Sequence, residues 1–306
     1  MLYFLLFIPQ SEIRNRMLNL RLILVAIAWG VNFSFVKFAL ADFYPLSFTV
    51  IRFFFAALFL FGVMILQGEP FRIDRRDAGK IILLGFIGIS LYNILFIYGL
   101  QRTTASNSAL FIAMSPLFAA LTQLVTKNER MTSRSASGLL LSFVGATLII
   151  WTRTGGLSFS WQDLSGDLLT LAASFSWALY TLLAKPLLEK YSPVKMTAYT
   201  MAVGTLLLLP LGLPELVDQP WRTISLQSWS ALGFGAFVAG GIAYTLWYQG
   251  VQQLGVTRTI VYHYLMPFVA VIFAALFLHE QITLLQVFGG CSILAGVYLV
   301  QTSSDR

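Results

Sequence analysis

The chain has 306 residues, of which 58% are hydrophobic and only 11% are charged, and its formal net charge is +7. A water-soluble domain of this length carries roughly a quarter charged residues, so the composition excludes a protein whose whole surface faces water. The single cysteine, Cys291, excludes an intramolecular disulfide and a multi-cysteine metal site. These features indicate an all-α integral membrane protein.

The N-terminal segment MLYFLLFIPQ is apolar but too short to cross a hydrocarbon core of ~30 Å at ~1.5 Å per residue. Arg14 and Arg16 follow this segment, whereas a signal peptide carries its positive charge in front. We interpret residues 1–17 as an N-terminal lead, which either lies at the membrane interface or precedes the true start of the protein.

Apolar stretches of roughly 18 to 25 residues, separated by charged and turn-forming segments, predict ten transmembrane helices in the rest of the chain. We number them as predicted helices 1–10 and place them at 18–40, 46–67, 78–99, 104–126, 135–151, 167–188, 195–213, 229–251, 257–278 and 283–300.

The distribution of basic residues predicts the orientation of these helices. With a cytoplasmic N-terminus, fourteen Lys and Arg residues fall on the cytoplasmic side and three, Arg102, Arg153 and Arg222, fall on the other. Cytoplasmic loops of membrane proteins carry an excess of Lys and Arg. Both termini are therefore expected in the cytoplasm, with residues 301–306 as a cytoplasmic tail.

The two halves of the chain, 18–151 and 167–300, resemble each other. Two fixed offsets, 148 and then 151, relate several pairs of scarce residue types; these pairs are Trp29 and Trp177, Lys37 and Lys185, Pro116 and Pro267, Glu129 and Glu280, and Thr132 and Thr283. We call residues related in this way repeat mates. Because each half holds five predicted helices, an odd number, the second half must cross the membrane in the opposite orientation.

Such inverted repeats recur in secondary transporters, whose substrate site lies near the midplane between the halves. The alternative is a duplicated scaffold without transport, such as an intramembrane enzyme or an assembly factor.

The segments PLFAALTQLVTKNERMTSRSASGLLLSFVGATLI and MPFVAVIFAALFLHEQITLLQVFGGCSILAGVYLV share a proline, an apolar span, a Glu, a Thr and two glycines seven residues apart. With AWGVNFSFVKFAL in helix 1, Arg52 in helix 2 and GGIAYTLWYQGVQQLG in helix 8, they make the chain resemble EamA-type members of the drug/metabolite transporter superfamily. The resemblance implies a ten-helix permease of the bacterial inner membrane that exports a small metabolite, often an amino acid. It also implies a central cavity among helices 1, 3, 4, 6, 8 and 9.

Ionisable side chains inside a membrane are costly and are functional candidates. Lys37 and Lys185 lie near the ends of predicted helices 1 and 6, from where they can also extend to lipid headgroups. Arg52 lies deeper and either extends likewise or pairs with a helix end or a partner residue; neither interpretation makes it a substrate ligand. His263 is either a neutral, hydrogen-bonded histidine at a helix contact or a proton-linked or substrate-binding residue.

Other candidates have structural interpretations. Glu129 and Glu280 fall at helix ends, where each carboxylate can accept hydrogen bonds from the N-terminus of the next helix. Pro116 and Pro267 lie inside predicted helices 4 and 9, where neighbouring helices can satisfy the freed carbonyl groups.

Polar and aromatic groups near the repeat axis predict the cavity wall, because repeat mates close to a two-fold axis approach each other. The predicted substrate-binding residues are Trp29, Asn32, Asn93, Ile97, Asn107, Met114, Trp177, Tyr180, Tyr244, Tyr248 and His263. Such groups amid apolar walls suit an amphipathic small molecule. The alternative is that many of these rings face lipid or form interfacial belts, since 15% of the chain is aromatic.

No motif of an ATPase, a hydrolase, a zinc protease or a dinucleotide-binding enzyme is present in the sequence. We therefore expect no catalytic residue, no cofactor, no bound metal and no nucleic-acid partner. The expected partners are the lipid bilayer and a small-molecule substrate, and a monomer is compatible with both.

Overall fold

The computed structural model describes residues 10–103, 111–126, 131–154, 164–269, 272 and 283–303, without the side chains of 10–16, 33, 34, 37, 125, 126, 153 and 154. This part of the chain is helical and contains no β-strand. The helices, in chain order, are α1 (Gln10–Ala39), α2 (Pro45–Leu66), α3 (Arg75–Leu100), α4 (Ser115–Thr126), α5 (Ser133–Thr154), α6 (Leu164–Leu188), α7 (Pro193–Asp218), α8 (Leu226–Leu254) and α10 (Leu284–Gln301). Between the last two, α9 comprises Val256–Ile260, a 3₁₀ turn at Val261–Tyr264 and the helical residues 265–269.

Within the described residues, seven helices, namely α2, α3, α5, α6, α7, α8 and α10, are long and apolar enough to cross a membrane. Their outward faces carry large apolar side chains, such as Leu58, Leu206 and Phe288, which are 57%, 67% and 65% exposed. In water such a surface would be unfavourable, whereas lipid solvates it.

Ser and Thr side chains cap the N-termini of several helices, the position at which these residue types are preferred. Ser192 and Ser225 accept hydrogen bonds from backbone N–H groups in the first turns of α7 and α8. Thr132 and Thr283, a pair of repeat mates, do the same for α5 and α10, and Thr283 forms a reciprocal capping box with Gln286.

Two central helices contain π-helical segments, in which a backbone N–H bonds to the carbonyl oxygen five residues earlier instead of four. The segment in α3 is Phe86–Leu91, and the segment in α8 is Phe234–Ile242. An offset of 151 maps the first onto the end of the second, so the irregularity recurs in both halves of the chain.

Polar contacts tie the helices together at both ends of the bundle. At one end, which we call the Asp42 end, Asp42 accepts hydrogen bonds from Ser225 and Ser228, joining the α1–α2 turn to the start of α8. At the opposite end, which we call the Asp77 end, Asp77 of α3 forms an ion pair with Lys190 at 3.0 Å. The Asp77 carboxylate accepts this hydrogen bond from the ammonium group and thereby raises the pKa of Lys190 above its usual value.

Helices α5 and α10 pack against each other along a seam of small residues. A Cβ atom built on Gly145 would lie 2.5 Å from the carbonyl oxygen of Gly289, and one built on Gly289 would lie 2.7 Å from that of Gly145. Only glycine allows the two backbones to come this close. Cys291, on α10, is exposed.

Candidate functional site

A cavity of about 240 Å³ lies among α1, α2, α3, α6, α8 and α9. Seven of the predicted substrate-binding residues line it, namely Trp29, Asn32, Asn93, Ile97, Trp177, Tyr244 and His263. These residues come from both halves of the chain, so the cavity lies between the halves.

Aromatic rings form the floor of this cavity. The ring of Trp29 lies with its centroid 5.5 Å from that of its repeat mate Trp177, 5.4 Å from Tyr244 and 5.1 Å from Trp247. The imidazole of His263 is parallel to the ring of Trp177, with an interplanar angle of 3° and a centroid distance of 5.5 Å. We call these rings the aromatic floor: Trp29, Trp177, Tyr244 and His263, which line the cavity, and Trp247, which packs against Trp29 but is not a lining residue.

The two π-helical segments accept hydrogen bonds from side chains in and around the cavity. Trp29 Nε1 donates to the carbonyl oxygen of Ala239, inside the π segment of α8, at 2.9 Å. In α3, Asn93 Nδ2 donates to the carbonyl oxygen of Ile89 at 2.6 Å, and Ser176 Oγ donates to that of Ile87 at 2.7 Å. The widened turns thus present carbonyl groups to neighbouring side chains.

His263 lies where helix geometry changes. The 3₁₀ turn Val261–Tyr264 interrupts α9, and turn residues 113–114 precede α4 at the equivalent place in the first half. Across these two breaks, Ser115 Oγ and His263 Nδ1 are 2.9 Å apart. The ring is 9% exposed and therefore combines both predicted features, a hydrogen-bonded helix contact and a place in the cavity wall.

One of the two repeat-mate prolines differs from expectation. Pro116 is the second residue of α4 rather than an interior one, whereas Pro267 lies inside α9, three residues after its 3₁₀ turn. Proline is compatible with a first helical turn because no intrahelical partner exists there for its missing N–H.

Arg52 also lines the cavity, whereas its sequence position predicted an arginine that extends to headgroups or pairs with a helix end or a partner residue. Its guanidinium Nη2 lies 3.4 Å from Asn93 Oδ1, and the guanidinium carbon lies 4.4 Å from the ring centroid of Phe53. Its Nε is buried and has no hydrogen-bond partner in the described part of the protein.

Three predicted substrate-binding residues are not among the residues that line the cavity in the described structure. Tyr180 and Tyr248 are fully buried, and their rings pack edge to face with centroids 5.4 Å apart on the Asp77 side of the floor. The ring of Tyr180 fills the space beside Gly88, where a Cβ atom would overlap it, and its hydroxyl lies 3.1 Å from Thr200 Oγ1. Met114, in the turn before α4, is half-buried.

Four further candidates lie wholly or partly outside the described residues. These are Asn107, Glu129 and Glu280, and the side chain of Lys37 on α1. Lys185 is half-buried in the last turn of α6, close to the Asp77 end.

The cavity is asymmetric along the bundle. Its wall continues from the floor to Leu40, Pro45, Leu100 and Gln101, which lie at helix termini of the Asp42 end. On the other side of the floor, Tyr180, Tyr248 and Thr200 are fully buried and close the path toward the Asp77 end. Among the described residues, the cavity therefore extends toward one end of the bundle only.

Sequence reasoning missed several lining residues, among them Phe48, Phe53, Tyr92 and Phe96. One signal could have found part of them, because Phe96 and Trp247 are an aromatic pair of repeat mates at the offset of 151.

Two segments of the chain, residues 17–151 and 164–302, match the model of the EamA-like transporter family. Among similar proteins, the uncharacterized transporter YyaM of Bacillus subtilis is 30% identical over 286 residues, with 92% of each chain covered. A protein named "Probable terminal-alkyne amino-acid exporter", from Streptantibioticus cattleyicolor, is 28% identical over 282 residues, with 91% of each chain covered.

The fold is similar to that of a solved protein crystal structure. The TM-score is 0.80 at 16% sequence identity, and the match covers 94% of this chain and 96% of the other. At this identity the similarity concerns the fold alone.

Proposed function

Because the chain belongs to the EamA-like transporter family, we propose that this multi-pass membrane transporter is a secondary transporter that exports a small organic solute, such as an amino acid, by alternating access. The observation that carries the proposal is the cavity between the two halves, which extends toward the Asp42 end and is closed toward the Asp77 end. Alternating access requires states that open to one side at a time.

Several contacts support an inverted repeat. The mates Trp29 and Trp177 touch at the centre of the molecule, as residues near a two-fold axis do. Helix α2 packs on its mate α7, and α5 on its mate α10. The contact of α1 with α8 recurs as the contact of α6 with α3, which is the pattern that exchange of the halves produces. The family model also matches once in each half.

We further propose that both termini are cytoplasmic, in the inner membrane of a bacterium. The excess of basic residues supports this orientation, and the Asp77 end, with Lys80 and Lys190, is then the cytoplasmic one. The cavity would accordingly open to the outside, the state from which an exporter releases its solute. The sequence carries no ATP-binding motif, so uphill transport would use an ion gradient or exchange.

Counterflow in proteoliposomes tests the proposal. Vesicles that contain the purified protein are loaded with an unlabelled amino-acid mixture and then diluted into trace radiolabelled amino acids, with protein-free vesicles as the control. We expect transient accumulation of at least one label. If neither amino acids nor a wider panel of metabolites accumulate above the control, a non-transporting membrane protein becomes the better interpretation.

A further inference from the structure

The cavity contains one permanently charged side chain and no carboxylate among its described lining residues. The cation is Arg52, and the rest of the wall is apolar, aromatic or neutral and polar. The described ion pairs of the protein lie elsewhere, around Asp77 at the end of the bundle. Arg52 therefore has no counter-ion in the part of the wall that the structure describes.

The hydrogen-bonding capacity of Arg52 is also largely unused by the residues that the structure describes. A guanidinium carries five N–H donors in a planar fork. One nitrogen, Nη2, reaches Asn93 Oδ1 at 3.4 Å, near the limit of a hydrogen bond, and the buried Nε has no partner. The planar group lies over the ring of Phe53, 4.4 Å from its centroid. An unpaired cation in apolar surroundings is unfavourable, so a ligand that neutralises it is bound favourably.

Neighbouring residues hold the guanidinium in place. Asn93 faces Arg52 with its carbonyl oxygen because its amide nitrogen is engaged by Ile89 O in the π segment. On the other side, a Cβ atom at Gly235, in the π segment of α8, would lie 3.0 Å from Arg52 Cδ. Glycine at this position allows the arginine side chain to lie against the helix backbone.

We propose that Arg52 binds a carboxylate group of the transported solute, so that the substrates are small organic anions or zwitterions with a carboxylate. This inference rests on the proposed function and names the substrate class of the same cavity. The guanidinium fork pairs with a carboxylate through two parallel hydrogen bonds. The remainder of the solute lies on the aromatic floor, and solutes that are only cationic are repelled.

The second half of the chain has no equivalent of Arg52. The mate of Arg52, at the offset of 148, is Thr200, which lies 3.1 Å from the hydroxyl of Tyr180 on the closed side of the floor. The mate of Tyr180 is Asn32, which shares the open cavity with Arg52. The anion site therefore belongs to the first half of the chain only.

Matched ligand pairs test the inference on the wild-type protein without any substitution. Thermal stability of the purified protein is measured with amino acids and with their amides, and with 3-phenylpropanoate, 3-phenylpropanamide and phenethylamine. A bound ligand raises the unfolding temperature by mass action. We expect stabilisation by at least one carboxylate and none by its amide or by the plain amine.

Arginine variants then locate the effect. Arg52→Gln should weaken binding of the stabilising carboxylate by roughly ten- to a hundred-fold, as for loss of a charged hydrogen-bond donor, and Arg52→Lys should weaken it less. Arg102→Gln is the matched control, because the Arg102 guanidinium also lies over a ring, that of Tyr98, but is exposed outside the cavity. Affinity should not change in that variant.

The outcomes separate this inference from the proposed function. Equal binding of acids and amides, binding of amines alone, or failure of every carboxylate to bind overturns the carboxylate site. If counterflow is observed with a solute that lacks a carboxylate, the proposed transport function is retained although the carboxylate site is not. If Arg52→Gln does not fold, the carboxylate site is tested by the affinity of Arg52→Lys and by the acid and amide ligands measured on the wild-type protein. Absence of all counterflow removes both proposals.

Discussion

At the scale of single residues, the two central tryptophans occupy equivalent places but have different hydrogen bonds. Trp29 Nε1 donates to Ala239 O, whereas Trp177 Nε1 is buried without a partner among the described residues. Both rings are almost fully buried, at 8% and 3% exposure. Because the two rings have similar surroundings, a comparison of variants at the two positions measures the contribution of the Trp29 hydrogen bond.

We predict that Trp29→Phe destabilises the protein more than Trp177→Phe does. Both substitutions remove similar ring area, but only the first leaves the Ala239 carbonyl without its side-chain donor. The difference should be about 0.5–1.5 kcal/mol, the net contribution of one such bond. Denaturant unfolding in detergent measures it. Equal losses in the two variants would show that the Trp29 hydrogen bond contributes nothing to stability.

Asp42 gives a pH-dependent prediction. Hydrogen bonds from Ser225 and then Ser228 hold the pKa of its carboxylate below the usual 3.8. A lowered folded pKa means that the stabilisation is present above the unfolded pKa and is lost as the pH falls through the folded pKa. The unfolding temperature of Asp42→Asn should therefore lie below that of the wild type at pH 7, and the two should converge as the pH falls through the lowered pKa of Asp42.

The control for this pH series is Asp218→Asn, because Asp218 is exposed at the end of α7. It should follow the wild type at all pH values. A difference between Asp42→Asn and the wild type that stays constant down to low pH would contradict the role of the ionised carboxylate.

At the scale of helices, the seam between α5 and α10 depends on the absence of side chains. Gly145 and Gly289 face each other's carbonyl oxygens, and a Cβ on Gly296 would overlap the hydroxyl of Ser142. The two helices can approach only while these positions stay small.

We predict that Gly145→Ala lowers stability by about 1–3 kcal/mol, as overpacking of a close contact does. The matched control is Gly62→Ala in α2, because a Cβ there meets no atom within 4 Å. Alanine favours a helix over glycine by about 1 kcal/mol, so the control should be neutral or stabilised. Thermal unfolding in one detergent compares both. Similar behaviour of the two variants would exclude a tight seam.

Helix positions follow from the sequence more directly than helix geometry does. The predicted span 46–67 corresponds to Pro45–Leu66, and 283–300 to Leu284–Gln301, because the length of an apolar run reflects membrane thickness. The span 195–213 ends too early, since α7 continues to Asp218 past Pro210 and Pro214. These prolines are four residues apart, so the N–H missing at Pro214 is the one that would bond to Pro210 O.

The candidate site was less predictable. Repeat symmetry identified Trp29 and Trp177 as mates near the centre, but it could not tell which side of the floor is closed. Tyr180 and Tyr248 were therefore assigned to the cavity, although they are fully buried beyond the floor. The π segments leave no signal in composition, and the position of Arg52 in the wall depends on how Gly235 packs against it.

At the scale of the whole molecule, two equivalent threonines lie on opposite sides of the floor. Thr49 lines the cavity toward the Asp42 end, and its mate Thr197 is fully buried toward the Asp77 end. Each hydroxyl donates to the carbonyl oxygen of a proline four residues earlier, at 2.8 Å and 2.7 Å. Both side chains are buried, at 3% and 0% exposure, and the two sites differ in that Thr49 borders the cavity.

We predict that Thr49→Cys reacts with a membrane-impermeant maleimide on intact cells and that Thr197→Cys does not, both in a Cys291→Ser background. A transported solute should reduce labelling at position 49 and increase labelling at position 197 in inverted vesicles. The reverse sidedness would contradict the proposed orientation. Unchanged rates with a solute that shows counterflow would contradict alternating access by exchange of the halves.

The paired π segments also bear on the history of the chain. A π turn holds one more residue than the α turn that it replaces, so each segment contains a residue in excess of a regular helix. Because Phe86–Leu91 maps onto the end of Phe234–Ile242, two separate insertions would have had to fall at the same place in both halves. Under the proposed repeat, a single insertion in one five-helix unit before its duplication accounts for both segments.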